Sequence, residues 1–134
     1  MKKLSVILVI IWMIVIFSFS NSSGTASSEE SNAIVLFIIN LIHYNGDINI
    51  LEFIIRKLAH FTEYFILGIL VINACKYNSI KDIIKLSILI CLLYACSDEI
   101  HQLFIQGREG KIFDVCIDTL GSLTGIFTYK VLRK

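Results

Sequence analysis

Three stretches of this 134-residue chain set ionisable side chains at helical spacing within long apolar runs. In the first, Arg56, His60 and Glu63 fall on one helical face. In the second, Asp98, His101 and Gln102 share a face, with Glu99 beside it. In the third, Asp114 and Asp118 line up with Gly121 and Gly125. Carboxylates and imidazoles can ligate a divalent metal or serve as general base and acid. Arginines can hold a phosphate or carboxylate through paired hydrogen bonds, which suits Arg56 and Arg108. Glu63, Asp98, Asp118, His60 and His101 are therefore the candidate catalytic or ligand groups. Arg56, Gln102, Arg108, Glu99 and Asp114 are the candidates for holding a substrate. A divalent metal is compatible with this donor set, but no particular ion is implied. The histidines do not form an H-x-x-x-H pair, and Ser18, Ser20 and Ser97 lack the partner that would activate a nucleophile.

The elements that must position these groups follow from composition. Of all residues, 56% are hydrophobic and only 17% charged, and there is no proline. A soluble domain of this size carries about a quarter charged residues. With a mean hydropathy of +0.77, the excess apolar surface belongs in lipid. An all-α integral membrane bundle of about four transmembrane helices is expected, since a span takes about 20 apolar residues. The spans fall near residues 4–19, 57–75, 82–105 and 112–132. Residues 1–20 then form the first span. Residues 21–55 form an extracytoplasmic loop, Ser-rich over 20–32, with a short interfacial or re-entrant apolar segment at 33–41. Residues 56–134 form a core of three antiparallel helices that carries the polar site. The charged start of the chain also fits a cleaved signal peptide, with Gly24-Thr25-Ala26 as a cleavage site; retention is the favoured reading. His43, Tyr44, Phe53 and Phe104 read as interfacial residues, and Lys57, Glu109 and Lys111 as simple anchors. Cys75, Cys91, Cys96 and Cys116 suit neither a zinc site nor a disulfide framework and read as small packed apolar residues.

Orientation follows from the basic residues near the span ends. Lys2, Lys3, Lys76, Lys81, Lys85, Lys130, Arg133 and Lys134 fall on one side, eight against the four of Arg56, Lys57, Arg108 and Lys111. The side with eight is expected to be cytoplasmic, with both termini there, in a multi-pass cell-membrane protein. A helical rise of about 1.5 Å per residue puts His60 and His101 about 6 Å below the outer boundary. Glu63, Asp98 and Asp118 come about 9–10 Å below it. Charges at such depth are expensive, so they should converge inside the bundle. A salt-bridge network, with His60 or Arg56 on Glu63 and Arg108 on Asp98 or Asp114, would satisfy them without any further role.

The chain resembles the VanZ-like family of membrane proteins. The resemblance rests on Arg56-Lys57-x-x-His60-Phe61-x-Glu63-Tyr64-x-x-Leu67-Gly68, on Ser97-Asp98-Glu99-x-His101-Gln102-x-Phe104 with Gly107-Arg108, and on Asp114-x-x-x-Asp118-x-x-Gly121 with Gly125. Ile16-Phe17-Ser18-Phe19-Ser20 matches a further element of the first span, which supports keeping that span. Asn21 stands where glutamine is expected. These motifs run from Trp12 to about Gly125 but leave out the stretch from Ser20 to Glu52. The family's namesake is associated with low-level resistance to teicoplanin, a glycopeptide that acts at the outer face of the membrane. The resemblance thus names a kind of protein and not a reaction.

Two functions fit these residues. One is an enzyme-like site at the outer leaflet acting on an anionic lipid head group or a lipid-linked cell-wall intermediate. The other is a non-catalytic membrane interaction protein whose buried ionic network is structural. A proton relay or transporter fits poorly, because the ionisable groups stop in the outer half. Membrane lipid is the expected partner, and nucleic acid is not. In a background freed of the four native cysteines, a cysteine at Gly107 is expected to react with an impermeant thiol reagent from outside, and one at Ser79 is not. Labelling of the Ser79 position alone would reverse the orientation.

Overall fold

The computed structural model describes residues 2–22, 24–43, 46–78, 80–108 and 110–133, with backbone only for 24–31 and 42. Tyr44, Ser79 and Glu109 therefore lie outside the described residues. The described chain is all-helical, in the order α1 (Lys2–Ser20), α2 (Gly24–Ile42), α3 (Ile48–Tyr77), α4 (Ile83–Gln102) and α5 (Ile112–Leu132). By length and composition α1, α3 and α5 can cross a membrane. With 20 residues α4 is as long, but it carries Lys85, Asp98 and Glu99.

The burial pattern is that of a membrane bundle. Ser5, Ser20, Ser87, Asp98, Glu99, Gln102, Asp114, Asp118 and Ser122 are buried, whereas Ile7, Ile11, Ile14, Leu93, Leu120 and Phe127 are exposed. Polar groups inside and apolar groups outside invert the pattern of a soluble domain. The apolar core is Ile16, Tyr64, Leu67, Val71, Cys75, Cys91 and Ala95, with a second cluster of Ile72, Ile126 and Tyr129. Cys75 and Cys91 are buried as expected, but Cys116 is exposed on the outer face of α5.

The most extensive contact joins α3 to α5, which are not consecutive in the chain. Lys57 meets Asp114, Phe61 meets Gly121, Phe65 meets Gly125 and Asn73 meets Tyr129. Both numbers rise together, so these helices run parallel. The expected antiparallel order holds only between consecutive helices: α4 runs against both, as His60 with Glu99 and Tyr64 with Tyr94 show. The contacts of Met13 with Tyr94 and Phe17 with His101 set α1 parallel to α4. The start of α1 and the end of α5 consequently lie at the same end of the bundle. α1 is locked in by Trp12 Nε1 donating to the Glu63 carbonyl (2.9 Å) and by Tyr94 Oη donating to the Met13 carbonyl (2.6 Å).

Two expectations change. The Ser-rich stretch is not a loop but the first part of α2, and the apolar segment is that helix's second half. With no proline to stop it, helical structure propagates back from the apolar turns. α2 packs on α3 with Val35 buried, and His43 ends it in the left-handed region at φ 52°. α3 begins at Ile48, well before residue 57, because Asp47 caps it by accepting from the Asn49 N–H (2.8 Å). Its 30 residues give a helix of about 45 Å, longer than the hydrocarbon layer. At the other connection, Gly107 adopts φ 76°, where a cysteine would be strained. Phe104, 81% exposed, is the better labelling position for that end.

The α3–α5 approach depends on glycine. A Cβ at Gly121 would run into the carbonyl oxygen of Phe61, one at Gly125 into that of Phe65, and one at Gly68 into that of Ser122. Gly125→Leu is expected to force the helices apart and to destabilise the fold by about 1–3 kcal/mol. Leu120→Ala, on the exposed face of the same helix, should be nearly neutral. Melting of the two variants in detergent checks this, and equal effects would rule out the glycine contact as the determinant.

Candidate functional site

Because α3 and α5 run parallel and close, their ionisable faces meet in register. Lys57 Nζ pairs with Asp114 Oδ1, and His60 Nδ1 lies 3.3 Å from Asp118 Oδ1. α4 brings Asp98, Glu99 and Gln102 to the same end, all three buried. Gln102 Nε2 reaches toward Asp98 Oδ2 at 3.5 Å, and Glu99 Oε2 accepts from the Lys111 backbone N–H at 2.7 Å.

Among the described residues this leaves Asp98 Oδ1, Glu99 Oε1 and Asp118 Oδ2 buried without a hydrogen-bond partner, together with Ser20 Oγ and Tyr64 Oη. An unsatisfied buried polar atom costs about 1–3 kcal/mol, and more if charged. The ligand atoms of Glu99, Asp118 and His60 lie within 4.8 Å of one another. Two ionised carboxylates at that separation repel by roughly 3.5 kcal/mol at an effective dielectric of about 20. Such a site is held together by the rest of the fold rather than by itself.

Two cavities open beside this layer. One, of about 260 Å³, is lined by polar Ser20, Arg56, His60, Glu63, Asp98, Gln102 and Arg108 and by apolar Phe19, Ile34, Ile55 and Ala59. The other, of about 440 Å³, is lined by Arg56, Lys57, His60, Gln102, Arg108, Lys111 and Asp114, with Phe53 and Gly107. Arg56, His60, Gln102 and Arg108 line both. The Arg108 guanidinium donates through Nε to the Ser22 carbonyl (2.9 Å) and through Nη2 to the Phe19 carbonyl (3.0 Å), closing the carboxyl end of α1. Burial and the neighbouring Arg56 lower its pKa, but a guanidinium stays charged.

A family model described as VanZ/LLP1 matches residues 5–133. The chain belongs to the VanZ/LLP1 family. No curated protein and no solved structure matches it. In this VanZ/LLP1 chain the matched range spans α2 as well, which the recognised motifs had left out, and it contains every cavity-lining residue.

Of the ten residues singled out from the sequence, the VanZ/LLP1 fold brings Arg56, His60, Glu63, Asp98, Gln102 and Arg108 around the first cavity. Asp114 lines the second, and Glu99 and Asp118 lie buried beside His60. His101 is not part of this group. Its ring stacks on Phe17 at 4.6 Å and its Nε2 approaches Asn21 Oδ1 at 3.3 Å. The reason is angular: α4 packs against α1 on one side and α5 on another, so His101 turns to α1 while Glu99 turns to α5. The expected ion pairs also differ. Arg56 approaches Glu52 (3.8 Å) rather than Glu63, His60 takes Asp118, and Arg108 takes backbone carbonyls rather than Asp98 or Asp114. Lys57 is no simple anchor, since it neutralises a buried aspartate. That role was not legible in the sequence, because it depends on the α3–α5 register. Ser20, read as an ordinary small residue, lines the first cavity.

Removing one member of the Lys57–Asp114 pair strands the other. Lys57→Met is expected to destabilise the protein by about 2 kcal/mol, less than for a fully buried pair, because Lys57 keeps 18% of its side-chain exposure. Lys57→Met with Asp114→Asn should recover much of the loss. A double-mutant cycle on melting temperature measures the coupling, and simple additivity would show that the two side chains do not interact.

Proposed function

We propose that this VanZ/LLP1 protein binds the anionic headgroup of a cell-envelope lipid, or of a lipid-linked cell-wall intermediate, at the outer leaflet. In this reading α4 crosses the membrane as well, for four spans in all, both termini are cytoplasmic and the polar cavities face the outside. The supporting observation is the first cavity, where two guanidiniums, Arg56 and Arg108, stand beside an apolar wall of Phe19, Ile34, Ile55 and Ala59. Two cations brought close repel and are relieved by an anion, and guanidiniums match phosphate oxygens in pairs. The apolar wall suits the first carbons of an acyl or prenyl chain. Arg56 is the adaptable partner: its side chain is 43% exposed and its ion pair to Glu52 is long. Arg108 is held by α1 and sets the shape of the site.

The Lys57–Asp114 ion pair and the His60–Asp118 contact favour a second reading, in which the network only holds the helices together. Lipid binding separates the two. Purified protein is titrated with phosphatidylglycerol and with phosphatidylcholine, and binding is read by native mass spectrometry. Preference for the anionic lipid is expected, and Arg56→Gln should weaken it about tenfold, or ~1.4 kcal/mol, without altering melting. Equal binding of both lipids, or an Arg56→Gln variant with unchanged affinity, would favour the structural reading.

A further inference from the structure

Beside the headgroup cavities lies a second arrangement that the lipid reading does not use. His60 from α3, Glu99 from α4 and Asp118 from α5 each offer one ligand atom, and these atoms lie within 4.8 Å of one another. Asp118 is 0% exposed and Glu99 5%. Asp118 Oδ2 and Glu99 Oε1 have no hydrogen-bond partner among the described residues. The remaining oxygens are already held: Glu99 Oε2 by the Lys111 backbone N–H at 2.7 Å, and Asp118 Oδ1 by His60 Nδ1 at 3.3 Å. Each carboxylate is thus fixed by one oxygen and leaves the other unused.

We propose that His60, Glu99 and Asp118 form a binding site for one divalent transition-metal cation, of the Zn²⁺ or Mn²⁺ type. Imidazole suits zinc and carboxylate suits the harder manganese, and a mixed set accommodates either. Around a tetrahedral ion with ligands about 2.1 Å away, ligand atoms stand about 3.4 Å apart. Rotation of the side chains covers the difference from the separation seen. Second contacts that fix a ligating carboxylate are a usual feature of metal sites, and the Lys111 N–H on Glu99 is one. His60, itself one of the trio, lines both cavities, which gives a cation its entry path. The two buried carboxylates can be relieved by protonation, by one shared proton or by a cation. A divalent cation draws on both carboxylates and on His60 at once, whereas a shared proton leaves the imidazole out.

The site stands apart from the headgroup reading, because a metal can be held with no lipid bound. The full chain is purified in detergent, stripped with a chelator, dialysed against Zn²⁺, Mn²⁺, Mg²⁺ or Ca²⁺, and its metal content measured. About one Zn²⁺ or Mn²⁺ per chain is expected, with little Mg²⁺ or Ca²⁺, and the metal should raise the melting temperature of the stripped wild type. Glu99→Gln and Asp118→Asn should each weaken binding at least tenfold, and His101→Gln should not. If either variant fails to fold, the wild-type stoichiometry and the visible absorption of a Co²⁺-loaded sample decide the matter. A wild type with no stoichiometric metal and no metal-dependent melting would overturn the site and leave the carboxylates sharing a proton. Metal retained equally by Glu99→Gln and Asp118→Asn would overturn it as well. Lipid preference lost by Arg56→Gln while metal content is unchanged would show the two sites to be independent.

Discussion

The close parallel contact of α3 and α5 is the constraint from which the rest follows. Backbone meets backbone there, because Gly68, Gly121 and Gly125 leave no Cβ in the way. At that separation short side chains reach across, so a histidine and an aspartate on different helices can pair directly. Lys57 extends to Asp114 one turn nearer the surface, and Tyr129 Oη donates to Asn73 Oδ1 at the far end (2.7 Å). Lipid tails supply no hydrophobic drive between helices, so packing and such polar contacts carry the association.

The same closeness creates the electrostatic problem that defines the site. Carboxylates from α4 and α5 gather at one end of an apolar bundle, and only some are matched by a partner on the neighbouring helix. Asp114 has the Lys57 ammonium, and Asp118 has the His60 imidazole. Arg108 is committed to the carbonyls of α1 rather than to a carboxylate. The orphaned oxygens of Asp98, Glu99 and Asp118 are therefore a consequence of the register, not of chance exposure, and all three residues are buried. Burial of this kind, placed beside an open cavity, is what makes these residues the candidate site.

α1 and α2 complete the arrangement from outside the three-helix core. α1 supplies Phe19 and Ser20 to the first cavity, and its final turn is held by Arg108 from the far connection. α2 contributes Ile34 and rests on α3 through Val35. The cavity thus has its charged side from α3, α4 and the Arg108 connection, and much of its apolar side from α1 and α2. An amphiphile would meet both surfaces at the boundary between head and tail.

The sequence alone determined the membrane class, because apolar length and the scarcity of charge leave few other places for this chain. It also determined which segments carry the ionisable faces, since Arg56, His60 and Glu63, or Asp114 and Asp118, share a face by helical periodicity alone. Among the cavity residues, Arg56, His60, Glu63, Asp98, Gln102 and Asp114 were legible in that way. Spacing along one helix cannot say which neighbour each residue faces, however. Only the tertiary structure decided that α3 and α5 run side by side in parallel, that Lys57 meets Asp114, and that His101 turns to α1 while Glu99 turns to α5. It likewise decided that the Ser-rich stretch continues as α2. The physical reason is the same in each case. Periodicity is a property of a single helix, whereas pairing depends on register and rotation between helices, which here are set by where glycine lets the backbones touch.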